Sequence, residues 1–316
     1  MMKSIGIQTD RAPAGSVVSQ PGAAFDAPFV FVSGKGGVGK SLVAAALALR
    51  GARAGRKTLL VETGERSYFK DFLSLQEVDH HPRPTGLGFD LALWSGESCL
   101  REYVLHLLKL ERIYKIFFEN KVMRALVNVA PGLNEIAILG KITSGVRKVG
   151  PPIQYDSIVV DMPATGHALA MFRAPKGMAE AIQIGPMAQH SGEMHRLLCN
   201  RQMVSLVVVT LLEELPVSET EEFMSAVAAE FGMPAEVVAN RWLDIPMTEG
   251  ELREVQGAGL GEISSYAGGV ADSVHSQREQ LDRLLARFEN VHRIPRYYSK
   301  SPTDMVAAAE EDLRKL

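Results

Sequence analysis

A doubly wound, mainly parallel α/β sheet with an inserted helical subdomain is the fold class the sequence predicts, on three observations. Strand-sized apolar runs recur along the chain, helix-like stretches separate them, and the first run ends in a glycine-rich loop. Runs without polar alternation belong to strands covered on both faces, which is the condition of a parallel sheet with crossover helices. The 316 residues are 46% hydrophobic and 22% charged, a balance that supplies a sizeable core. An α/β unit of this length can be one domain.

Residues 1–27, rich in Ser, Pro, Gly and Ala, read as a disordered leader with nothing to bury. A single domain over 28–316 follows. Phe29–Val32 is the first strand, and Ser41–Arg53, rich in Ala and Leu, the first helix. Further strands are expected at Thr58–Val61, Ile158–Val160, Leu206–Val209 and Val237–Ala239, with a weaker one at Val291–Ile294 and another at Phe89–Trp94. Two segments interrupt the alternation. Residues 97–149 are nearly all helical by pattern, and 168–200 is similar but broken at Pro175 and Pro186. Together they make the expected helical subdomain. Along the first, Leu100, Tyr103, Val104, Leu107, Leu110, Tyr114 and Phe117 keep helical spacing, and Leu105, Leu108, Ile113 and Ile116 widen the stripe. Packing between helices explains that width, and so does an apolar surface for a partner.

Composition excludes several classes of function. Lys and Arg number 34 against 37 Asp and Glu, a net charge of -3, so no global basic field attracts nucleic acid or anionic lipid. Cys99 and Cys199 cannot build a disulfide framework, and no CxxC offers a structural zinc site. The apolar runs fall far below a membrane span, and the start of the chain lacks the apolar core of a signal peptide. A cytoplasmic address is the expectation.

Directly after the first strand stands Gly34-Lys35-Gly36-Gly37-Val38-Gly39-Lys40-Ser41, which matches GxxxxGK[ST] in a strand–loop–helix context. Glycines let the backbone curl so that successive N–H groups point at a β-phosphate. The helix beginning near Lys40 turns its positive end to the same anion. Lys40 would bridge β- and γ-phosphate oxygens, and the Ser41 hydroxyl would ligate Mg²⁺. ATP and Mg²⁺ are thus the expected ligands.

Lys35 adds a second lysine at the start of the loop. KGGVGKS resembles the deviant Walker A loop of the arsenite-pump, tail-anchored-protein-targeting and MinD/ParA ATPases. In those families that lysine reaches across a dimer interface, which implies a C2 homodimer with two sandwiched nucleotides here. Asp161-Met162-Pro163-Ala164-Thr165-Gly166-His167 is similar to the DTAPTGH segment of the arsenite-pump and targeting branch, with Pro and Ala exchanged. The resemblance implies that Asp161 holds Mg²⁺ through water, and that Thr165, Gly166 and His167 belong to a γ-phosphate-sensing turn. Pro131-Gly132-Leu133-Asn134-Glu135 resembles the family's PGxxE segment. Asn240 matches the asparagine these ATPases place on adenine, and Ile294-Pro295 the start of a second adenine-side loop.

Departures accompany the likeness. Family members carry a water-positioning aspartate in a segment like STDPA, and here Glu62-Thr63-Gly64-Glu65-Arg66-Ser67 puts Gly64 at its place. Glu65 is the candidate replacement and Glu62 the alternative, since a base needs only a carboxylate within reach. The family's metalloid thiols and CxxC site have no counterpart; His195 and Cys199 are i,i+4, but two ligands are too few. The resemblance implies a homodimeric switch ATPase that couples nucleotide state to a protein client or membrane partner. Met171, Met178, Met187, Met194 and Met203 suit an adaptable client groove, but core filling is the more ordinary explanation of the same residues. A metalloid or anion-efflux subunit and a MinD/ParA-like positioning ATPase remain alternatives.

Overall fold

The computed structural model describes residues 22–108, 132–150, 153–182, 184–298 and 300–315. One eight-stranded sheet organises them, with strands β1 (Phe29–Gly34), β2 (Thr58–Thr63), β3 (Arg83–Pro84), β4 (Asp90–Trp94), β5 (Ser157–Asp161), β6 (Val204–Leu211), β7 (Ala235–Trp242) and β8 (Val291–Pro295). Their order is β3-β4-β2-β5-β1-β6-β7-β8. Every described pairing is parallel except β3 with β4. All seven strands expected from the apolar runs are present. The antiparallel edge β3 is the addition, two exposed residues too short to leave a pattern in sequence.

Alternate residues of each central strand enter opposite cores, as the two-residue side-chain period requires. Phe29, Phe31, Leu59, Val61, Ile158 and Val160 enter one. Val30, Val32, Leu60 and Val159 enter the other, with Val43 to Leu49 of helix α1 (Lys40–Arg53). The fold is doubly wound because each face buries its own layer of helices.

On the first face lie α3 (Gly96–Leu108), α4 (Leu133–Ile142), α5 (Ser144–Arg147), α6 (Thr165–Ile182), α7 (Pro186–Leu198) and α8 (Glu214–Glu230). Leu100, Ile136, Leu139, Phe172 and Leu198 pack into the same core as the strands. Of the stripe expected along 97–149, Leu110, Ile113, Tyr114, Ile116 and Phe117 lie outside the described residues, as does Pro131. Pro175 does not break its helix. It sits buried inside α6, whereas Pro186 opens α7, where a missing N–H is harmless. Met171 and Met194 are core residues, and the partly buried Met178 and Met203 pack against that core. The other face carries α1, the short α2 (Tyr68–Phe72) and α11 (Pro302–Arg314). Helices α9 (Glu249–Gly257) and α10 (Glu262–Leu285) pack as a hairpin between β7 and β8.

The expected leader gives way to ordered chain before Ala27. Its first 21 residues lie outside the described ones, but Ala23–Asp26 form a 3₁₀ turn that buries Phe25. The N–H groups of Gly22 and Ala24 donate to the buried Glu236 carboxylate, which His292 also contacts. An aromatic ring and a satisfied buried acid hold this stretch, features that the small-residue composition around them hides.

Candidate functional site

A cleft of about 630 Å³ opens at the carboxyl ends of the strands, the place where open α/β sheets bind ligands. Its floor is the loop between β1 and α1, and brings together Gly37, Gly39, Lys40 and Ser41 with Asn240 from the end of β7. Two glycines explain the loop's sequence. A Cβ on Gly34 would stand 2.0 Å from the Val209 carbonyl oxygen, and Gly34 has φ 151°. A Cβ on Gly39 would stand 2.3 Å from Asn240 Nδ2, at φ 96°. Val38, between them, anchors the loop by burying its side chain in the core.

Lys40 is the first residue of α1, and its ammonium donates to the Lys35 carbonyl at 3.1 Å, lying along the loop. Burial holds its pKa below the usual lysine range, and Asp161 works against that shift. The Ser41 hydroxyl donates to Asp161 Oδ2 at 2.6 Å. Lys35 points away from the loop and pairs with Glu219 of α8 at 2.6 Å. Asn240 is buried and ties the loop down: Nδ2 donates to the Val38 carbonyl at 2.8 Å and Oδ1 accepts from the Arg241 N–H at 2.9 Å. Thr165, Gly166 and His167 form the first turn of α6, with Gly166 and His167 exposed, and do not line the cleft.

The family model described as anion-transporting ATPase matches residues 27–201, more than half of the chain and all of this loop. The chain belongs to the anion-transporting ATPase family. "ATPase BagA" of Mycobacterium tuberculosis is 32% identical over 277 residues, spanning 83% of this chain and 76% of the relative. "ATPase ARSA1" of Chlamydomonas reinhardtii is 29% identical over 175 residues, 46% of this chain and 22% of the relative. "ATPase get3" of Neurospora crassa is 25% identical over 171 residues, 49% of this chain and 44% of the relative.

Two carboxylates distinguish the site of this anion-transporting ATPase family member. Glu62 and Asp161 are register partners on β2 and β5, side by side beyond the loop. Asp161 is buried, and burial pushes its pKa up to about 7; the Ser41 hydrogen bond and Lys40 oppose that shift, while Glu62 adds to it. Its Oδ1 is buried without a hydrogen-bond partner. An orphaned carboxylate oxygen beside a serine hydroxyl is an incomplete set of hard oxygen donors, and it fits a hydrated Mg²⁺. Burial also raises the Glu62 pKa, against hydrogen bonds from the Ser67 hydroxyl and the Tyr68 N–H. Glu65, the sequence candidate for the missing switch acid, is exposed on the turn after β2. The structure thus brings Glu62, not Glu65, next to Asp161.

Several cleft residues carried no motif. Tyr68 and Phe72 of α2 stack at 5.1 Å in the cleft lining, and Arg241, Arg296 and Tyr297 line it as well. Burial raises the Tyr68 pKa, Asp161 and Glu62 reinforce the shift, and Arg241 counters it. Position at or just past a strand's carboxyl end was the available signal for Arg241 and Arg296. His195 and Cys199 lie 3.9 Å apart at the end of α7, and no cluster of three metal-ligating side chains occurs among the described residues. No helix among those residues is long and apolar enough to cross a membrane.

Proposed function

We propose that this chain is a Mg²⁺-dependent ATPase acting as a homodimeric switch, whose nucleotide state controls binding of a protein client or membrane partner. The observation that carries the catalytic part is the orphaned Asp161 Oδ1 beside Ser41, directly under a phosphate-binding loop. Ser41 and Asp161 would hold Mg²⁺, the latter through water, and the bound ion would neutralise charge developing on the β- and γ-phosphates. Lys40 leaves the Lys35 carbonyl and pairs with phosphate oxygens. Backbone N–H groups from Gly34 to Ser41 cradle the β-phosphate. Thr165, Gly166 and His167 open α6, so a change at Asp161 would pass directly into a helix of the layer on the first face. Asn240, which already fixes the loop, borders the base. A water attacks the γ-phosphorus as its bond to the β-bridging oxygen breaks, giving ADP and phosphate.

The dimer and the client rest on likeness. Lys35 stands where the resembled families place their trans-acting lysine, and the relative "ATPase get3" is by its name an ATPase. Titration of the wild type and Lys40→Ala with ATP and Mg²⁺ tests the catalytic part. The wild type is expected to bind and hydrolyse ATP, and the variant to lose at least about a hundredfold in kcat/KM, as when one developing-charge donor is removed. Equal turnover in both would refute it.

A further inference from the structure

Arg241 is the feature of the cleft that neither the loop nor the family likeness explains. It follows Asn240 at the end of β7, where the register with β8 slips between Ala239 and Trp242. Its φ is +58°, a left-handed conformation that a branched or bulky L residue rarely adopts and glycine takes freely. Irregularities of this kind re-aim a side chain, and strain retained beside a ligand site points to a use for that side chain. The backbone accounts for its own part: Arg241 N–H donates to Asn240 Oδ1, and its carbonyl accepts from Gln277 at 3.3 Å. The guanidinium has no hydrogen-bond or ion-pair partner among the described residues. It lines the nucleotide cleft together with Pro295, Arg296 and Tyr297, where β7 and β8 end.

We infer that Arg241 is a positioning residue for the nucleoside end of the substrate, its planar guanidinium lying against the face of the base. This rests on the nucleotide reading of the cleft. With the phosphates on residues 34–41, the rest of the nucleotide extends toward the β7 and β8 ends. A planar cation and a proline–tyrosine edge are there to receive an aromatic ring. The contact is equal for ATP and ADP, so it governs affinity and leaves the chemical step alone.

The test uses Arg241→Gly, which removes the guanidinium while keeping the left-handed backbone unstrained, and Arg241→Lys, which keeps the charge but not the plane. Arg241→Gly is expected to weaken ATP and ADP alike by about 3- to 30-fold, with kcat unchanged and thermal stability equal or higher. Arg241→Lys is expected to recover only part of that loss. Tripolyphosphate, which has no base, is expected to bind wild type and both variants equally. Unchanged nucleotide affinity in Arg241→Gly, or a parallel loss of tripolyphosphate binding, overturns the inference and leaves the ATPase proposal standing. A wild type that binds neither ATP nor ADP overturns both.

Discussion

Asp161 is under opposed demands. As the proposed Mg²⁺ ligand it must be ionised, yet burial without a partner for Oδ1 favours the neutral acid, with a pKa of about 7 against an ordinary 3.8. Between those values the native chain holds a proton that the unfolded chain has released. Its contribution to stability is therefore fully present below about pH 4 and falls away as pH rises through about 7. Asp161→Asn is expected to remove the Asp161 share of that decline, so the melting temperature of the nucleotide-free variant falls less than that of the wild type over the same window. Mg²⁺ and nucleotide binding near pH 6.5 is expected to expel the proton. Calorimetry in two buffers of different ionisation heat reads that release directly, and equal heats in both would exclude it. Glu62 sits beside Asp161 in register, and its titration is superimposed on the same curve.

At the scale of elements, the loop between β1 and α1 has glycines that differ sharply in what they tolerate. Gly34→Ala drives a Cβ into the Val209 carbonyl from a positive φ, so β1 and β6 must separate. A loss of about 3 kcal/mol or more in denaturant unfolding is expected. Gly36→Ala meets nothing within 4 Å, and is expected to change stability by less than about 0.5 kcal/mol. Comparable losses in the two would show that the steric account of the loop is wrong. The elements themselves were largely legible, because strands such as Phe29–Val32 are buried on both faces and a bare apolar run is their signature. The edge strand Arg83–Pro84 escaped because two exposed residues carry no period. Pro175 misled because tertiary packing keeps a proline inside α6. In the site, the glycine loop and Asp161 were readable from local motifs. The Asn240–Val38 tie, the Lys35–Glu219 pair and the α2 wall join residues far apart in sequence, and only the folded topology brings them together.

For the molecule as a whole the decisive residue is Lys35, since the proposed dimer requires it to leave its own subunit. It is held by Glu219 in a pair whose side chains are 34% and 39% exposed. A contact that open contributes roughly 0–1 kcal/mol, so it parks the lysine without locking it. Phosphate oxygens of a nucleotide on a facing subunit, shielded from water, are the stronger partner for an ammonium group. In a C2 pair each subunit both gives and receives one such contact, which makes the interface self-complementary. Glu219→Gln is therefore expected to shift unfolding by less than about 1 kcal/mol and to leave nucleotide-driven dimerisation at least as strong as in the wild type. Lys35→Ala is expected to keep nucleotide binding to the monomer and to lose the dimer. Sedimentation with a slowly hydrolysed ATP analogue separates these results. A Lys35→Ala chain that pairs as readily as the wild type would refute the lysine's trans role, and a wild type that stays monomeric with the analogue bound would refute the dimer itself. The same run at low and high salt adds a further reading, because a buried lysine–phosphate contact is screened far less than the exposed Lys35–Glu219 pair it replaces.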